Sequence, residues 1–338
     1  MTTIAELGEF GLIARLTAGL HQSPEVIAGV GDDAAVLEIG GDYLLVATCD
    51  AQVEDTHFRL RHTQPYNIGR RALAVNLSDI AAMGAQPRFA LISLFLPPTL
   101  DVGILDGIYT GLRDEAAQFD VAIVGGNIAR NAERLILDIT LLGTGMRHKL
   151  LRRNNAKPGD VVMVTGSLGA AAAGLLVLED EDLAAKLSPE SLVEVLAAQR
   201  TPTPRVLAGQ WLAEHGVTTG IDVSDGLAAD LSHICEASGV SAHITAELLP
   251  IQSEVITIAT LDGRSPQDLA LFGGEDYELL FTVSADRTDA LVHDLFAATG
   301  ISATAIGTIC EGEGLTLFLQ GKPLPLRSTG WDHLRLPA

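Results

Sequence analysis

Ala72-Leu73-Ala74-Val75-Asn76-Leu77-Ser78-Asp79-Ile80-Ala81-Ala82-Met83-Gly84-Ala85 is an apolar stretch with a single ionisable side chain, Asp79. Its apolar residues recur at helical spacing, and Gly84 followed by Pro87 is typical of a helix end, so we predict a helix over 67–83. A carboxylate among apolar neighbours is costly to bury unless a metal ion or a basic side chain compensates its charge. The stretch therefore predicts a functional site at Asp79.

Other segments also place acidic residues beside Gly, Ser, Thr or small apolar residues. They are Gly31-Asp32-Asp33-Ala34-Ala35, Thr48-Cys49-Asp50, Asp222-Val223-Ser224-Asp225-Gly226 and Gly273-Gly274-Glu275-Asp276-Tyr277. Oxygen ligands of this kind suit Mg²⁺, which commonly accompanies phosphate chemistry. We therefore expect the fold to assemble one Mg²⁺-phosphate site from them. Taken singly, Asp33 also fits a plain turn, and a helix N-cap explains Asp222 or Asp225 but hardly both.

Composition sets broad limits on the function. The chain has 338 residues, enough for two domains or one large one. Its net charge of −21 argues against non-specific nucleic-acid binding and against an anionic membrane surface. We predict neither a transmembrane helix nor a signal peptide. Cys49, Cys235 and Cys310 are widely spaced, which favours neither disulfides nor a zinc site, so we expect a cytoplasmic protein.

Strand-like and helix-like segments alternate in both halves of the chain, which predicts α/β or α+β domains. Apolar runs predict strands over 43–48, 89–96, 121–124, 135–144, 161–165, 278–283, 304–309 and 315–319. Helical spacing predicts helices over 11–20, 67–83, 104–119, 170–178, 225–238 and 286–300. The polar segment 152–160 separates the halves. We therefore expect domains of residues 1–150 and 151–338.

The common nucleotide-binding and hydrolase motifs do not occur in the sequence. There is no GxxxxGK[ST], HExxH, GxSxG, HRD or DFG, and no GxGxxG that opens a helix after a strand. The turn Gly166-Ser167-Leu168-Gly169 fits a phosphate site at a helix N-terminus, but it fits a packing or capping turn better. The acidic segments therefore carry the functional prediction.

The acidic segments, in this order, resemble the thiamine-monophosphate kinase family over almost the whole chain. Further matching segments are Gly8-Glu9-Phe10-Gly11-Leu12-Ile13, His57-Phe58, Lys157-Pro158-Gly159-Asp160 and Gly330-Trp331-Asp332-His333. The resemblance implies the two-domain α/β (α+β) fold of aminoimidazole ribonucleotide synthetase, with N-terminal domains that form a homodimer beside the nucleotide. It implies that ATP phosphorylates thiamine monophosphate to thiamine diphosphate with several Mg²⁺ ions.

The resemblance also implies roles for individual residues. The implied metal ligands are Asp33, Thr48, Cys49 (through its backbone), Asp50, Asp79, Asn127, Asp222 and Asp225, of which Asp50, Asp79 and Asp222 would act in catalysis through bound Mg²⁺. The implied ATP contacts are Gly125, Gly126, Asn127, Arg153 and Ser224, and the implied thiamine monophosphate contacts are His57, Glu275 and Trp331. From the residues alone, Trp331 is better explained as a core anchor, and His57 fits a structural role equally well.

One position departs from the family pattern. The family has Gly-Gly-Asp-Thr where this chain has Gly125-Gly126-Asn127-Ile128, so Asn127 keeps an oxygen ligand but removes a negative charge. Two alternatives stay open, and Asn127 motivates the second of them. One is a related ATP-dependent enzyme with another substrate, and the other is a catalytically weak paralogue that binds nucleotide or a thiamine compound.

Overall fold

The computed structural model describes residues 3–21, 23–327, 330 and 334. The first part of the chain contains α1 (Ile4–Thr17), β1 (Val26–Ala28), β2 (Ala35–Glu38), β3 (Tyr43–Val53), α2 (Pro65–Ala82), β4 (Gln86–Leu96), α3 (Val102–Gln118), β5 (Ala122–Arg130) and β6 (Ile136–Met146).

The second part begins with β7 (Asp160–Thr165), α4 (Ala170–Glu179), α5 (Glu181–Ala184), α6 (Pro189–Arg200), α7 (Val206–Glu214), β8 (Thr219–Asp222), α8 (Leu227–Ser238) and β9 (Ser241–Thr245). It continues with α9 (Ser253–Asp262), α10 (Pro266–Phe272), β10 (Leu279–Ser284), α11 (Thr288–Thr299), β11 (Ala303–Cys310), β12 (Gly314–Leu319) and β13 (Lys322–Leu326). No helix in the described ranges is long and apolar enough to cross a membrane.

The strands form two mixed sheets. The six-stranded sheet has the order β1-β2-β3-β6-β4-β5, and the seven-stranded sheet has the order β13-β12-β9-β11-β7-β10-β8. The pairs β4–β5 and β9–β12 are parallel, and the other pairs are antiparallel. Strands from the first half of the chain thus build one sheet and strands from the second half build the other.

Helix α2 lies between the sheets and contacts strands of both, including β3 and β8. Most of its residues are buried because the apolar spacing of the sequence covers more than one face. The helix ends as predicted at Gly84, whose φ of +66° is in the left-handed region. The amide of Gly84 donates to the carbonyl of Ala81 at 2.9 Å. The core around α2 joins Leu77 and Ile139 to Leu212 and Phe281, so the two halves share apolar packing.

Two strand ends differ from the sequence-based expectation. We expected a strand over 43–48, but β3 continues to Val53 because its pairing with β6 runs to Ile136. We expected the glycine pair to follow β5, but β5 runs through Gly125-Gly126-Asn127 to Arg130. Glycine is required inside this strand, since a Cβ on Gly126 would lie 1.8 Å from the carbonyl oxygen of Ile92.

Helices α2 and α7 pack closely at Gly209. Helix propensity alone predicts that replacing this glycine with alanine stabilises the protein, whereas the close packing predicts the opposite. An Ala in place of Gly209 on α7 places its Cβ 2.0 Å from the carbonyl oxygen of Ala81, so we expect Gly209→Ala to destabilise the protein by about 1–3 kcal/mol. In α1 a Cβ on Gly11 meets only Leu7 at 3.5 Å. Gly11→Ala is therefore the matched control and should be neutral or stabilising, by up to about 1 kcal/mol. Chemical denaturation measures the free energy of unfolding of both variants. A Gly209→Ala protein as stable as the wild type would contradict the close packing.

Candidate functional site

Three carboxylates from distant segments meet between the two sheets. Asp33 precedes β2, Asp79 lies on α2, and Asp222 is the last residue of β8. One oxygen of each lies within 4.8 Å of the other two. The side chain of Asp33 is 2% exposed and Asp222 is 2% exposed. The fold thus gathers three of the acidic residues that the sequence singled out.

Neighbouring polar groups hold these carboxylates in place. The Thr48 hydroxyl donates a hydrogen bond to Asp79. The Ser78 hydroxyl donates to Asp222 at 2.6 Å, which joins α2 to β8. The backbone amide of Asp50 donates to the side-chain oxygen of Asn76 at 3.1 Å, which joins β3 to α2. These contacts explain why polar residues occupy buried positions of an otherwise apolar helix.

Among the described residues, the cluster holds more negative charge than nearby basic groups compensate. Burial raises the pKa of Asp79 well above its usual range, and repulsion from Asp50 and Asp222 adds to this effect. Burial, followed by repulsion from Asp33, raises the pKa of Asp222 to about 8. Arg153 donates to one oxygen of Asp33 at 2.7 Å, yet burial still raises the pKa of that carboxyl. Protons or metal cations must therefore supply the missing positive charge.

One oxygen at this cluster is left without a partner. Among the described residues, Asp33 Oδ2 is buried and accepts no hydrogen bond. A buried acceptor of this kind is costly unless a ligand satisfies it. Carboxylate oxygens at this spacing are a donor set that fits a hard cation such as Mg²⁺.

The carboxylates line a cavity of about 430 Å³. It brings together most of the residues predicted from the sequence: Asp33, Thr48, Cys49, Asp50, His57, Asp79, Arg153, Asp222, Ser224, Asp225 and Glu275. Glu9 and Asp32 also line it, so the cavity wall is strongly acidic. Nδ1 of His57 accepts a hydrogen bond from the amide of Val53 at 3.0 Å. Trp331 lies outside the described residues.

The thiol of Cys49 does not share the position of its neighbours. Strand alternation puts Cys49 on the face of the sheet opposite Thr48 and Asp50. Its sulfur lies 3.3 Å from Asp138 and 3.6 Å from Thr140. Of Cys49, only the backbone is therefore placed for the role that the resemblance implied.

Gly125, Gly126 and Asn127 lie away from this cluster in the single chain. They line a separate cavity of about 640 Å³ beside α3, with Tyr109 and Arg113 on its wall. Strands β6 and β4 separate β5 from β3. The register places Asn127 in the row of Ser93, Asp138 and Ala51, on the face opposite that of Asp50. Within one chain, Gly125, Gly126 and Asn127 therefore do not line the acidic cavity.

Sequence reasoning missed Asp230. Its carboxylate accepts hydrogen bonds from the backbone amides of Ser224, Asp225 and Gly226 at 3.1, 3.2 and 3.1 Å. Neither Asp222 nor Asp225 caps α8, so the expectation that one of them does is wrong. Asp230 lies in the first turn of α8, where the helix dipole favours negative charge, but the predicted helix over 225–238 did not place it in the first turn.

The turn before α4 is occupied by protein rather than open to a phosphate. The carboxylate of Asp276 accepts from the amides of Gly169 at 2.7 Å and Ala171 at 3.3 Å. Burial raises the pKa of Asp276 to about 7. The structure thus favours the capping interpretation of this turn over the phosphate interpretation.

The fold and the acidic site together define a class of protein. Residues 31–145 match the family model of AIR synthase related protein, N-terminal domain, and residues 157–320 match that of AIR synthase related protein, C-terminal domain. The predicted two-domain α/β (α+β) fold is confirmed by these matches and by the solved structures described next.

Individual relatives narrow the class. The chain is 35% identical to the thiamine-monophosphate kinase of Bacillus subtilis (strain 168) over 97% of this chain and 100% of the relative. It resembles a solved structure described as AaThiL complexed with AMPPCP and TMP, with a TM-score of 0.85, 34% identity, and 98% and 99% of the two chains covered. Thiamine-monophosphate kinase from Stenotrophomonas maltophilia K279a matches with a TM-score of 0.76 and 38% identity, over 91% and 96%. The chain belongs to the thiamine-monophosphate kinase family.

The raised pKa of Asp222 predicts a pH-dependent stability. Its folded value of about 8 lies above the ordinary 3.8, so the native state keeps a proton that the unfolded state releases. Without divalent cations, this carboxyl therefore destabilises the fold progressively as pH rises from about 4 to about 8. We expect Asp222→Asn, which cannot ionise, to gain stability relative to the wild type across that window.

Urea unfolding of both proteins near each end of the window measures this difference. Added Mg²⁺ should stabilise the wild type more than the variant, because a ligand that binds only the native state shifts the unfolding equilibrium. Parallel pH profiles for the two proteins would show that Asp222 ionises normally.

Proposed function

We propose that this chain transfers the γ-phosphoryl group of ATP to the phosphate of thiamine monophosphate, forming thiamine diphosphate at the acidic cavity. The observation that carries the proposal is the cluster of Asp33, Asp79 and Asp222, which lies in segments matching the family pattern. The relative solved with AMPPCP and TMP supports this substrate pair.

The residues present fit Mg²⁺. The oxygen donors of the cavity that would hold it are Asp33, Thr48, Asp50, Asp79, Asp222 and Asp225. Asp33 Oδ2 is a buried acceptor without a hydrogen-bond partner among the described residues, which a bound cation would satisfy. When bound, Mg²⁺ supplies the positive charge that neutralises the two phosphates and orients their oxygens.

The chemistry needs no strong general base. The acceptor phosphate has a second pKa near 6, so it is largely dianionic at neutral pH. An oxygen of this phosphate attacks the γ-phosphorus of ATP, the bond to the β–γ bridging oxygen breaks, and ADP leaves. The guanidinium of Arg153, fixed beside Asp33, adds positive charge for the nucleotide phosphates, and Ser224 lies on the loop that Asp230 fixes.

We assign the thiamine end of the substrate to His57, Glu275 and Trp331. The carboxylate of Glu275 lines the cavity and attracts the cationic thiazolium ring. An indole face such as that of Trp331 attracts the same cation. His57 lines the cavity close to the end of β3, where its ring can reach the substrate phosphate.

The six-stranded sheet supports a homodimer through residues 1–150. One face of this sheet carries exposed apolar side chains, including Phe89, at 44% exposed, and Leu91, at 39%. The same face carries the row of Asn127. We propose that two chains pair there and that Gly125, Gly126 and Asn127 bind ATP beside this interface, with residues 151–338 as the second α/β domain.

A charge on the exposed face tests the dimer. We expect Leu91→Glu to give a monomer in sedimentation, because burying its carboxylate in an apolar interface is costly. Phe296→Glu, at a residue 58% exposed on α11, is the control for an added exposed charge and should leave the dimer intact. A dimeric Leu91→Glu protein would place the interface elsewhere.

The three cysteines are free thiols, which supports a cytoplasmic enzyme.

The experiment that tests the function is an assay of thiamine diphosphate formation from ATP, Mg²⁺ and thiamine monophosphate. We expect turnover by the wild type and a loss on the order of 100-fold or more in Asp79→Asn, because the variant removes a charge that holds the metal. Asp289→Asn, at an exposed position on α11, is the charge-matched control and should keep full activity. Equal turnover by Asp79→Asn and the wild type would remove Asp79 from the site.

Asn127 favours a second candidate, a catalytically weak paralogue. The same assay on Asn127→Asp separates the two candidates. Turnover by the wild type supports the kinase. A large rise in turnover that occurs only in Asn127→Asp supports the weak paralogue. If neither protein forms thiamine diphosphate, the kinase proposal is rejected.

A further inference from the structure

Arg71 is a buried cation on α2 that lies close to the acidic cavity. The sequence alone did not predict a role for it. It is 1% exposed. Its guanidinium donates to the side-chain oxygen of Gln52 at 3.2 Å, to the backbone carbonyl of Gln199, and to the carboxylate of Glu275. One side chain thus ties α2 to β3, to the end of α6, and to the 273–277 loop.

All three partners line the acidic cavity: Gln52, Gln199 and Glu275. Arg71 therefore lies behind the cavity wall and fixes several of its side chains at once. A buried arginine is costly unless its charge is paired and its donors are satisfied. Burial opposes the charged form most strongly, but attraction to Glu275 and Tyr277 and the hydrogen bond to Glu275 together outweigh it and raise the pKa of Arg71.

The backbone at Glu275 also needs an external constraint. Glu275 and Tyr277 have φ values of +60° and +51°, a backbone region that is unfavourable for non-glycine residues. The amide of Glu275 donates to the carbonyl of Ser224 at 2.7 Å, and that of Tyr277 donates to the carbonyl of Val223 at 2.9 Å. These bonds fix the backbone, and Arg71 fixes the side chain.

Glu275 is held but not fully enclosed. Its side chain is 31% exposed, whereas that of Arg71 is 2% exposed. Among the described residues, Arg71 is the partner of the Glu275 carboxylate, and the contact uses one of its two oxygens. The other oxygen stays available to a ligand in the cavity.

We propose that Arg71 is a positioning residue that orients the carboxylate of Glu275 toward the cationic ring of the substrate. Arg71 itself touches no substrate, and its effect passes through Glu275 and the end of α6. The proposal rests on the proposed function, because it assigns Glu275 to the thiamine end of that site.

The test compares steady-state constants for Arg71→Gln, Glu275→Gln and the double variant. We expect Arg71→Gln to raise the KM for thiamine monophosphate about 10-fold, the size of one charge-assisted hydrogen bond, with little change in kcat or in the KM for ATP. The double variant should be no worse than the more impaired single variant, because both changes remove the same interaction. Arg71→Lys keeps the charge and should recover part of the affinity.

A neighbouring ion pair supplies the control. Arg205 bonds both oxygens of Glu278 at 2.6 Å, three residues beyond Glu275, and neither residue lines the cavity. We expect Arg205→Gln to lower thermal stability without raising the KM for thiamine monophosphate. The proposal is overturned if the effects of Arg71→Gln and Glu275→Gln add, if the KM for ATP rises equally, or if Arg205→Gln gives the same kinetic pattern.

Two further measurements keep the outcomes distinguishable. If Arg71→Gln does not fold, Arg71→Lys carries the same comparison with Glu275→Gln. Calorimetric binding of thiamine monophosphate to the wild type and to Arg71→Gln separates this inference from the proposed reaction. If the wild type binds thiamine monophosphate but shows no turnover, the proposed reaction is rejected, and the difference in affinity between the wild type and Arg71→Gln still tests the role of Arg71. If the wild type does not bind thiamine monophosphate, both the reaction and the role of Arg71 are rejected.

Discussion

Repulsion among three carboxylates gathered between the two sheets is the constraint on which this structure depends. Asp33, Asp79 and Asp222 bring oxygens within 4.8 Å of one another, and Arg153 pairs with only one of these residues. Like charges this close in a partly buried site are strongly unfavourable unless protons or cations intervene. The cluster therefore needs protons or cations to balance its charge. The proposed Mg²⁺ would explain how a chain of net charge −21 accepts anionic phosphates.

Helix α2 connects that constraint to the rest of the fold. It supplies Asp79 to the cluster, Ser78 to Asp222, and Asn76 to the backbone of β3. Two turns earlier it supplies Arg71 to the loop that carries Glu275. Since α2 also packs against both sheets, one helix positions both the carboxylate cluster and the loop that carries Glu275.

Much of this arrangement could be predicted from residues 72–85, because a lone carboxylate in an apolar helix is visible in the sequence. The pairing register could not, so the sequence did not reveal that Asn127 lies on the opposite face from Asp50. Short buried strands such as β8, with four residues, give too little pattern to recognise. Arg71 and Asp230 were missed because their roles come from tertiary contacts with distant or irregular backbone.

The central claim is that one divalent-cation site is built from both halves of the chain. The most direct measurement is the binding of Mn²⁺, a paramagnetic substitute for Mg²⁺, followed by electron paramagnetic resonance. We predict that Asp33→Asn and Asp222→Asn each weaken Mn²⁺ binding by at least about 10-fold, although the residues lie in different halves. Binding as tight as that of the wild type in either variant would contradict a shared site.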